Sequence, residues 1–258
     1  MSGPGRPGRV TPVNDLPAHG AISLNLSTPA RVLAIGAHPD DIEFGCGGTL
    51  AKWAAVGAVL HHLVLTDGAK GTWDPDREQA GLIAERQAEQ RRAAALLGGG
   101  DVTFLGYPDG ELQNGEAVRR EVVRVMRLVQ ADVVLTHDPW RRYRLHPDHR
   151  HAGFIVTDAL VAARDPHFFP DVGAAPHRPN DLLLWEADEP NHVEDVEGVV
   201  ATKVAALLAH RSQLESTMGL GDDDPVDAFE SRLRGQLSAH GALAGLALGE
   251  SFHRMSEL

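Results

Sequence analysis

Between residues 31 and 186 the chain alternates short, continuous apolar runs with longer helical patterns, and this alternation restricts its fold more than any other feature. The runs of strand length are Arg31 to Gly36, Val59 to Leu65, Val102 to Leu105, Val133 to Thr136 and Leu182 to Glu186. Most are continuously apolar rather than alternating, which is what parallel strands covered on both faces require. Helical patterns lie between and after them. Thr49 to Ala55 ends before Gly57, and Glu78 to Leu97 stops at Gly98-Gly99-Gly100. Glu116 to Gln130 carries Val118, Val122, Val125 and Val129 on one stripe, and further helices are expected over His149 to Ala163, Glu197 to Ala209 and Asp227 to His240. Parallel strands need crossover connections, and these are right-handed. The expectation is therefore an α/β fold: a Rossmann-like three-layer sandwich with a mostly parallel sheet in the order 3-2-1-4-5, forming one domain over residues 30–258.

The first 29 residues are rich in Gly, Pro and small polar residues, with neither the apolar core of a signal peptide nor a twin-arginine pair, and read as a flexible tail. No run of about 18 apolar residues predicts a membrane span. Asp222-Asp223-Asp224-Pro225 reads as a solvated loop opening the last helix, and the proline-rich segment Asp165 to Asn180 as a loop on a pocket rim. A formal charge of −12 argues against nucleic acid or an anionic membrane surface as the main partner and favours a small neutral or cationic substrate. The single cysteine precludes an intrachain disulfide and is compatible with a cytoplasmic location. Composition leaves room for a homo-oligomer.

The chemistry concentrates at two places. Ala37-His38-Pro39-Asp40-Asp41 leaves the first strand, and His146-Pro147-Asp148-His149 follows the fourth. In the order 3-2-1-4-5 those strands are neighbours at the switch point, beyond whose carboxyl ends ligands bind. His38 and Asp41, three residues apart on a tight turn, can converge on one point, and His149 would complete a two-histidine, one-carboxylate set. Such a set suits Zn²⁺, and Fe²⁺ can use the same ligands. The competing reading is that these residues only cap turns and helices. Asp40 is then the spare carboxylate, placed to act as general base on a metal-activated water. His146 is either a ligand or a group facing the substrate oxygen, and Asp148 is expected to favour its protonated form, so that an imidazolium stabilises an oxyanion. Cys46, between Gly45 and Gly47, reads as packing. His61 and His62 point to opposite faces of a strand, and His210 reads as a packing or helix-dipole residue.

Ala37 to Asp41 with Glu43-Phe44-Gly45-Cys46-Gly47-Gly48-Thr49, joined to His146-Pro147-Asp148-His149, resembles the LmbE/PIG-L family of zinc-dependent N-acetylglucosamine deacetylases. The likeness extends through Thr66-Asp67-Gly68, Arg86 with Glu89, Asp109-Gly110, Lys203 and His210-Arg211-Ser212-Gln213, over about residues 31 to 215. It implies a Rossmann-like fold, zinc on His38, Asp41 and His149, Asp40 as base, and His146 tuned by Asp148 as the oxyanion or acid residue. It also implies sugar or aglycone contacts for Arg86 and Asp109. Arg144 stands where some relatives carry a tyrosine, beside Tyr143, and joins the substrate-binding candidates. The expected activity is removal of an N-acetyl group from a small amino-sugar conjugate. A nucleotide-binding oxidoreductase would need Gly-x-Gly-x-x-Gly after the first strand, where this chain has Gly36-Ala37-His38-Pro39-Asp40-Asp41. Two alternatives remain: a non-catalytic metal- or sugar-binding protein, which would not need Asp40, and an amide hydrolase acting on a mycothiol-type S-conjugate.

Overall fold

The computed structural model describes residues 22–221 and 226–258. One sheet of eight strands runs through the described residues: β1 (Ser23–Leu24), β2 (Arg31–Gly36), β3 (Val59–Thr66), β4 (Asp101–Tyr107), β5 (Val133–His137), β6 (Asp181–Trp185), β7 (His192–Asp195) and β8 (Gly249–Ser256). Its spatial order is β1-β7-β8-β6-β5-β2-β3-β4. The five strands expected from sequence are β2 to β6, and they stand in the expected order 3-2-1-4-5, all parallel. The expected sheet was too small. β8 extends it antiparallel beside β6, β7 pairs antiparallel with β8, and β1 pairs parallel with β7. These three lack a continuous apolar run: β8 reads Gly-Glu-Ser-Phe-His-Arg-Met-Ser.

The expected tail through Pro29 is also too long, because Ser23–Leu24 is an edge strand of the sheet. The Ser23 hydroxyl lies 2.8 Å from His192 Nδ1, and His192 Nε2 lies 2.8 Å from Glu194, which is also paired with Lys52. Residues 1–21 of that tail and the acidic loop Asp222 to Pro225 lie outside the described residues.

Alternate residues of β2 feed two cores. Leu33 and Ile35 pack with α3 (Glu116–Val129) and α4 (Pro147–Arg164) on one face, while Val32 and Ala34 pack with α1 (Asp41–Ala54) and α2 (Gln79–Leu96) on the other. A third cluster joins α5 (Val200–Leu208) to α6 (Val226–Ala242), and α6 lies against β8. The sandwich therefore has helices on both faces of the sheet, as expected.

Helix α1 begins eight residues before the expected Thr49, because the glycine-rich stretch is itself helical with a break at Cys46 (φ −149°, ψ 16°). The break needs its own partners. Lys203 Nζ donates to the Phe44 carbonyl at 2.7 Å, and the Glu250 carboxylate accepts the N–H groups of Gly48 and Thr49 at 2.8 and 2.7 Å. Positive charge thus meets a helix C-terminal carbonyl and negative charge meets helix N–H groups, as the helix dipole favours. Lys203 and Glu250 are themselves paired and buried. Gly48 is required for close approach, since a Cβ there would lie 2.9 Å from Val196 Cγ1 and 3.0 Å from Glu250 Oε1. Removing one partner leaves a buried charge unpaired, so Glu250→Ala is expected to cost about 3–5 kcal/mol. A shift in the guanidinium midpoint reads this loss. A Lys203→Met/Glu250→Leu double variant, which leaves no charge behind, is expected to lose less.

Candidate metal centre and active-site cleft

β2 and β5 are adjacent and parallel, and their crossovers diverge to opposite faces, so a crevice opens beyond their carboxyl ends. His38 lies two residues past β2, and Asp41 is the first residue of α1. Asp41 Oδ2 accepts the backbone N–H of His38 at 2.7 Å, which closes the turn on itself. From across the crevice α4 brings His149. It starts at Pro147 rather than at the expected His149, with His146 as its N-cap residue and a proline in its first turn, so His149 lies within that turn.

His38 Nδ1 is 3.2 Å from His149 Nε2 and 3.4 Å from Asp41 Oδ2, and His149 Nε2 is 3.3 Å from Asp41 Oδ1. Tetrahedral zinc with bonds of about 2.0–2.1 Å sets its N and O donors about 3.3 Å apart. The three residues expected from sequence therefore lie near that spacing, with Asp41 presenting Oδ2 to His38 and Oδ1 to His149. Three other donor sets share members with them: His38 with His146 and His149, Asp41 with His137 and His149, and His38 with Asp109 and Asp148.

The far sides of the rings distinguish ligands from supports. His38 Nε2 is 3.1 Å from Asp148 Oδ2 and 3.1 Å from Asp109 Oδ1. Carboxylates only accept, so Nε2 carries the proton and the Nδ1 lone pair faces His149 and Asp41. Burial disfavours a charged His38, but Asp109, Asp148 and Asp41 outweigh it and raise its pKa well above the usual value. The pocket around this ring is thus built to hold positive charge. His137 is different. Its Nδ1 faces the Trp185 indole N–H at 3.0 Å and Arg144 Nη2 at 3.1 Å, groups that only donate. Burial opposes the charged ring, but Asp41 and then Glu186 outweigh it and raise its pKa; in the neutral ring the two donors aimed at Nδ1 make that nitrogen the acceptor. His137 Nε2 therefore donates to Asp41 Oδ2, 3.1 Å away, and His137 supports Asp41 rather than joining the donor set. Trp185, which holds that ring, lies against Gly45, where a Cβ would fall 2.4 Å from the indole.

Asp40 is the N-cap residue of α1 by position, but its side chain makes no capping bond. Its backbone is left-handed at φ 99°, a conformation uncommon outside glycine and strained enough to suggest function. It is buried, and its Oδ2 has no hydrogen-bond partner. Burial pushes its pKa up to about 6, with Arg86 pulling it down and Asp41 pushing it up. The residue is held from behind: its N–H donates to Gln90 Oε1 at 3.0 Å, and Gln90 Nε2 donates to the buried Glu43 at 2.7 Å. His210 packs fully buried against Glu43, its Nε2 3.3 Å from Oε2, in keeping with its expected packing role.

Three sequence expectations change here. Arg86 is buried and donates to the Gly68 carbonyl at 2.8 Å and the Pro39 carbonyl at 2.7 Å, with Asp40 Oδ2 at 3.6 Å. It bolts the turn bearing Asp40 to the loop after β3 instead of facing the cleft. Asp109 gives one oxygen to His38 and the other to the Lys70 N–H at 2.9 Å. Burial would raise its pKa, but His38 and then Lys70 hold it at about 2. It supports a donor ring and does not line the cleft. Asp148 was expected to tune His146. Its oxygens instead engage His38 and the N–H groups of Gly110 and Leu112, at 2.7 and 3.2 Å. His146, more exposed, stacks on His149 at 4.6 Å between ring centroids and meets His38 edge-on at 4.7 Å. Partial burial, then the neighbouring His38, lowers its pKa, while Asp148 acts in the expected direction and raises it.

The cleft beside these residues has a volume of about 500 Å³ and reaches from Asp40, Asp41 and His149 to Gln236 and His240 on α6. Arg144, expected from sequence as a substrate contact, lines it, while Tyr143 is 88% exposed and does not. Arg144 Nη2 also lies 2.6 Å from His149 Nδ1. His137 and Glu186 were missed in the sequence. His137 is the last residue of β5, at the switch point, and Glu186 follows the neighbouring strand β6. That position was itself the available signal. Burial would raise Glu186, but His137 and Arg144 hold its carboxyl at about 2.

Residues 33–160 match the family model described as PIG-L, GlcNAc-PI de-N-acetylase. The chain is 34% identical to a diacetylchitobiose deacetylase from Thermococcus kodakarensis, over 83% of this chain and 79% of that protein. It is 33% identical to a 1D-myo-inositol 2-acetamido-2-deoxy-alpha-D-glucopyranoside deacetylase from Rhodococcus opacus, over 71% and 82% respectively. Among solved structures, the N,N'-diacetylchitobiose deacetylase from Pyrococcus horikoshii superposes with a TM-score of 0.80 at 32% identity, covering 88% of this chain and 84% of that one.

Proposed function

The chain belongs to the PIG-L family of GlcNAc-PI de-N-acetylases, and from that premise we propose that it is a metal-dependent hydrolase removing the acetyl group from an N-acetylglucosamine-containing small molecule. The observation that carries this reading is the juxtaposition of two imidazole nitrogens 3.2 Å apart and the Asp41 carboxylate, one oxygen of which lies within 3.4 Å of each, with a buried Asp40 oxygen that has no hydrogen-bond partner. A protein that only bound metal or sugar would gain nothing from burying Asp40 in a strained conformation.

His38 Nδ1, Asp41 Oδ1 and His149 Nε2 would hold the ion, with zinc the best fit to two imidazoles and one carboxylate. A bound divalent ion supplies a water of lowered pKa and polarises the acetamide carbonyl. His38 is ready for this role, its Nε2–H fixed by Asp148 and Asp109. His149 is not, because the Arg144 guanidinium faces its Nδ1. Were Nε2 to hold the ion, the ring proton would sit on Nδ1 and Arg144 would have no acceptor there.

Asp40 Oδ2 takes the proton from the attacking water and returns it to the leaving nitrogen, since an amide expels its amine only when that nitrogen is protonated. His146, beside both histidine donors and open to the solvent side, donates an N–H to the developing oxyanion as a neutral ring. Arg86, Asp109, Asp148 and His137 position these groups without touching substrate.

The test is acetate release from N,N'-diacetylchitobiose and from an N-acetylglucosaminyl inositol. Release from at least one is expected, lost after chelation and restored by Zn²⁺. Undiminished release from protein shown to be metal-free would overturn the metal requirement, and no release from either by metal-loaded protein would overturn the substrate class.

A further inference from the structure

The cleft carries two arginines, Arg141 and, beside the donor His149, Arg144, and one carboxylate engages both. Glu186 Oε1 is 3.1 Å from Arg141 Nη1, and its Oε2 meets Arg144 Nη1. Asp188, also in the lining, accepts the Arg142 N–H at 2.6 Å. A guanidinium is charged at any working pH and presents a fork suited to carboxylate or phosphate. Two such forks on a substrate cleft would ordinarily recruit an anion. Here Glu186 takes one nitrogen of each fork, Arg144 Nη2 is turned to His149 and His137, and Asp188 adds a second negative charge to the lining.

We propose that Glu186 is a specificity-determining residue: by clamping Arg141 and Arg144 it makes the cleft take substrates that are uncharged beyond the acetamide and reject anionic conjugates. This rests on the deacetylase reading for the nature of the substrate, but the clamp itself is a matter of charge. The position is held at some conformational cost. Glu186 turns out of β6 at φ 58°, a left-handed backbone that glycine or asparagine adopts more readily. Its side chain is 43% exposed and makes both ion pairs at the mouth of the cleft, where an entering substrate group would compete for the guanidiniums.

Glu186→Gln keeps the shape of the side chain and removes its charge, while Glu186→Asp keeps the charge and serves as the control. Two arms are measured on metal-loaded protein. In the first, sulfate binding is followed calorimetrically; the Gln variant is expected to bind at least tenfold more tightly than wild type, and the Asp variant to stay near wild type. Attraction of sulfate to the metal is common to all three proteins and drops out of the ratio. In the second, kcat/KM for N,N'-diacetylchitobiose is divided by that for N-acetylglucosamine 1-phosphate. The ratio should favour the neutral sugar in wild type and fall at least tenfold in the Gln variant. Equal sulfate affinity in wild type and Gln variant, or an Asp variant shifted as far as Gln, overturns the clamp. Should tight sulfate binding emerge in the Gln variant while no protein releases acetate from either sugar, the deacetylase reading fails and the clamp stands.

Discussion

Asp40→Asn is expected to keep its full metal content and to lose turnover by roughly 10²–10⁴, the usual size of a general-base contribution. The substitution is clean for reasons specific to this site. Asparagine is nearly isosteric and is among the few residues that accept a left-handed backbone, which Asp40 occupies at φ 99°. The Asp40 side chain caps nothing, and the peptide is held from behind by Gln90, so neither the helix start nor the turn depends on the carboxylate. What disappears is a buried oxygen able to accept a proton. The measurement pairs metal analysis and a thermal midpoint with kcat. Near-normal turnover in metal-loaded Asp40→Asn would remove this residue from the mechanism. A low kcat accompanied by lost metal would show that Asp40 acts through the donor set, contrary to the assignment made here.

The sheet order and the meeting of two distant motifs were legible because they depend on patterns the chain carries locally. Continuous apolar runs identify β2 to β6, and the switch point then places His38 beside His149 without further information. What could not be read were the features decided by tertiary partners. β8 is half polar, and it holds its place by pairing with β6 and β7 and by lending Glu250 to the broken helix α1. Cys46 and its flanking glycines look like a loop in sequence because their helical bonds are completed by Lys203 and Glu250, more than 150 residues away. The same limit explains the three reassigned residues. Asp148 stands next to His149 and two residues from His146 in the chain, yet its hydrogen bonds go to His38 on another element. Arg86 and Asp109 fall at positions suggestive of sugar contacts, and only the fold shows that their polar groups are engaged by Pro39, Gly68, Lys70 and His38. Sequence proximity indicated which residues share the site but not which atom each one touches.

His38→Ala and Asp41→Ala are expected to abolish stoichiometric metal binding and, with it, acetate release. Each supplies one of the three donors, and the alternative sets through His137 or His146 each keep only two of them. His146→Ala decides between the competing donor sets. If His146 were the third ligand in place of Asp41, its removal would empty the site and Asp41→Ala would be tolerated. The structure favours the reverse: His146 lies on the exposed side, stacked on His149, whereas Asp41 is buried with Oδ2 fixed by the His38 N–H and His137, leaving Oδ1 toward His149. Full metal content in His146→Ala together with a depressed kcat is therefore expected. The supporting residues should give a graded response. Asp148→Asn and His137→Gln keep all three donors but loosen the Nε2–H of His38 and the carboxylate of Asp41, and such losses typically weaken metal affinity by 10–100-fold. Competition against a chelator of known affinity resolves these steps. Metal retained by Asp41→Ala and lost by His146→Ala would exchange the roles of those two residues. Affinity unchanged in Asp148→Asn would mean that the hydrogen bond at His38 Nε2 does not organise the site.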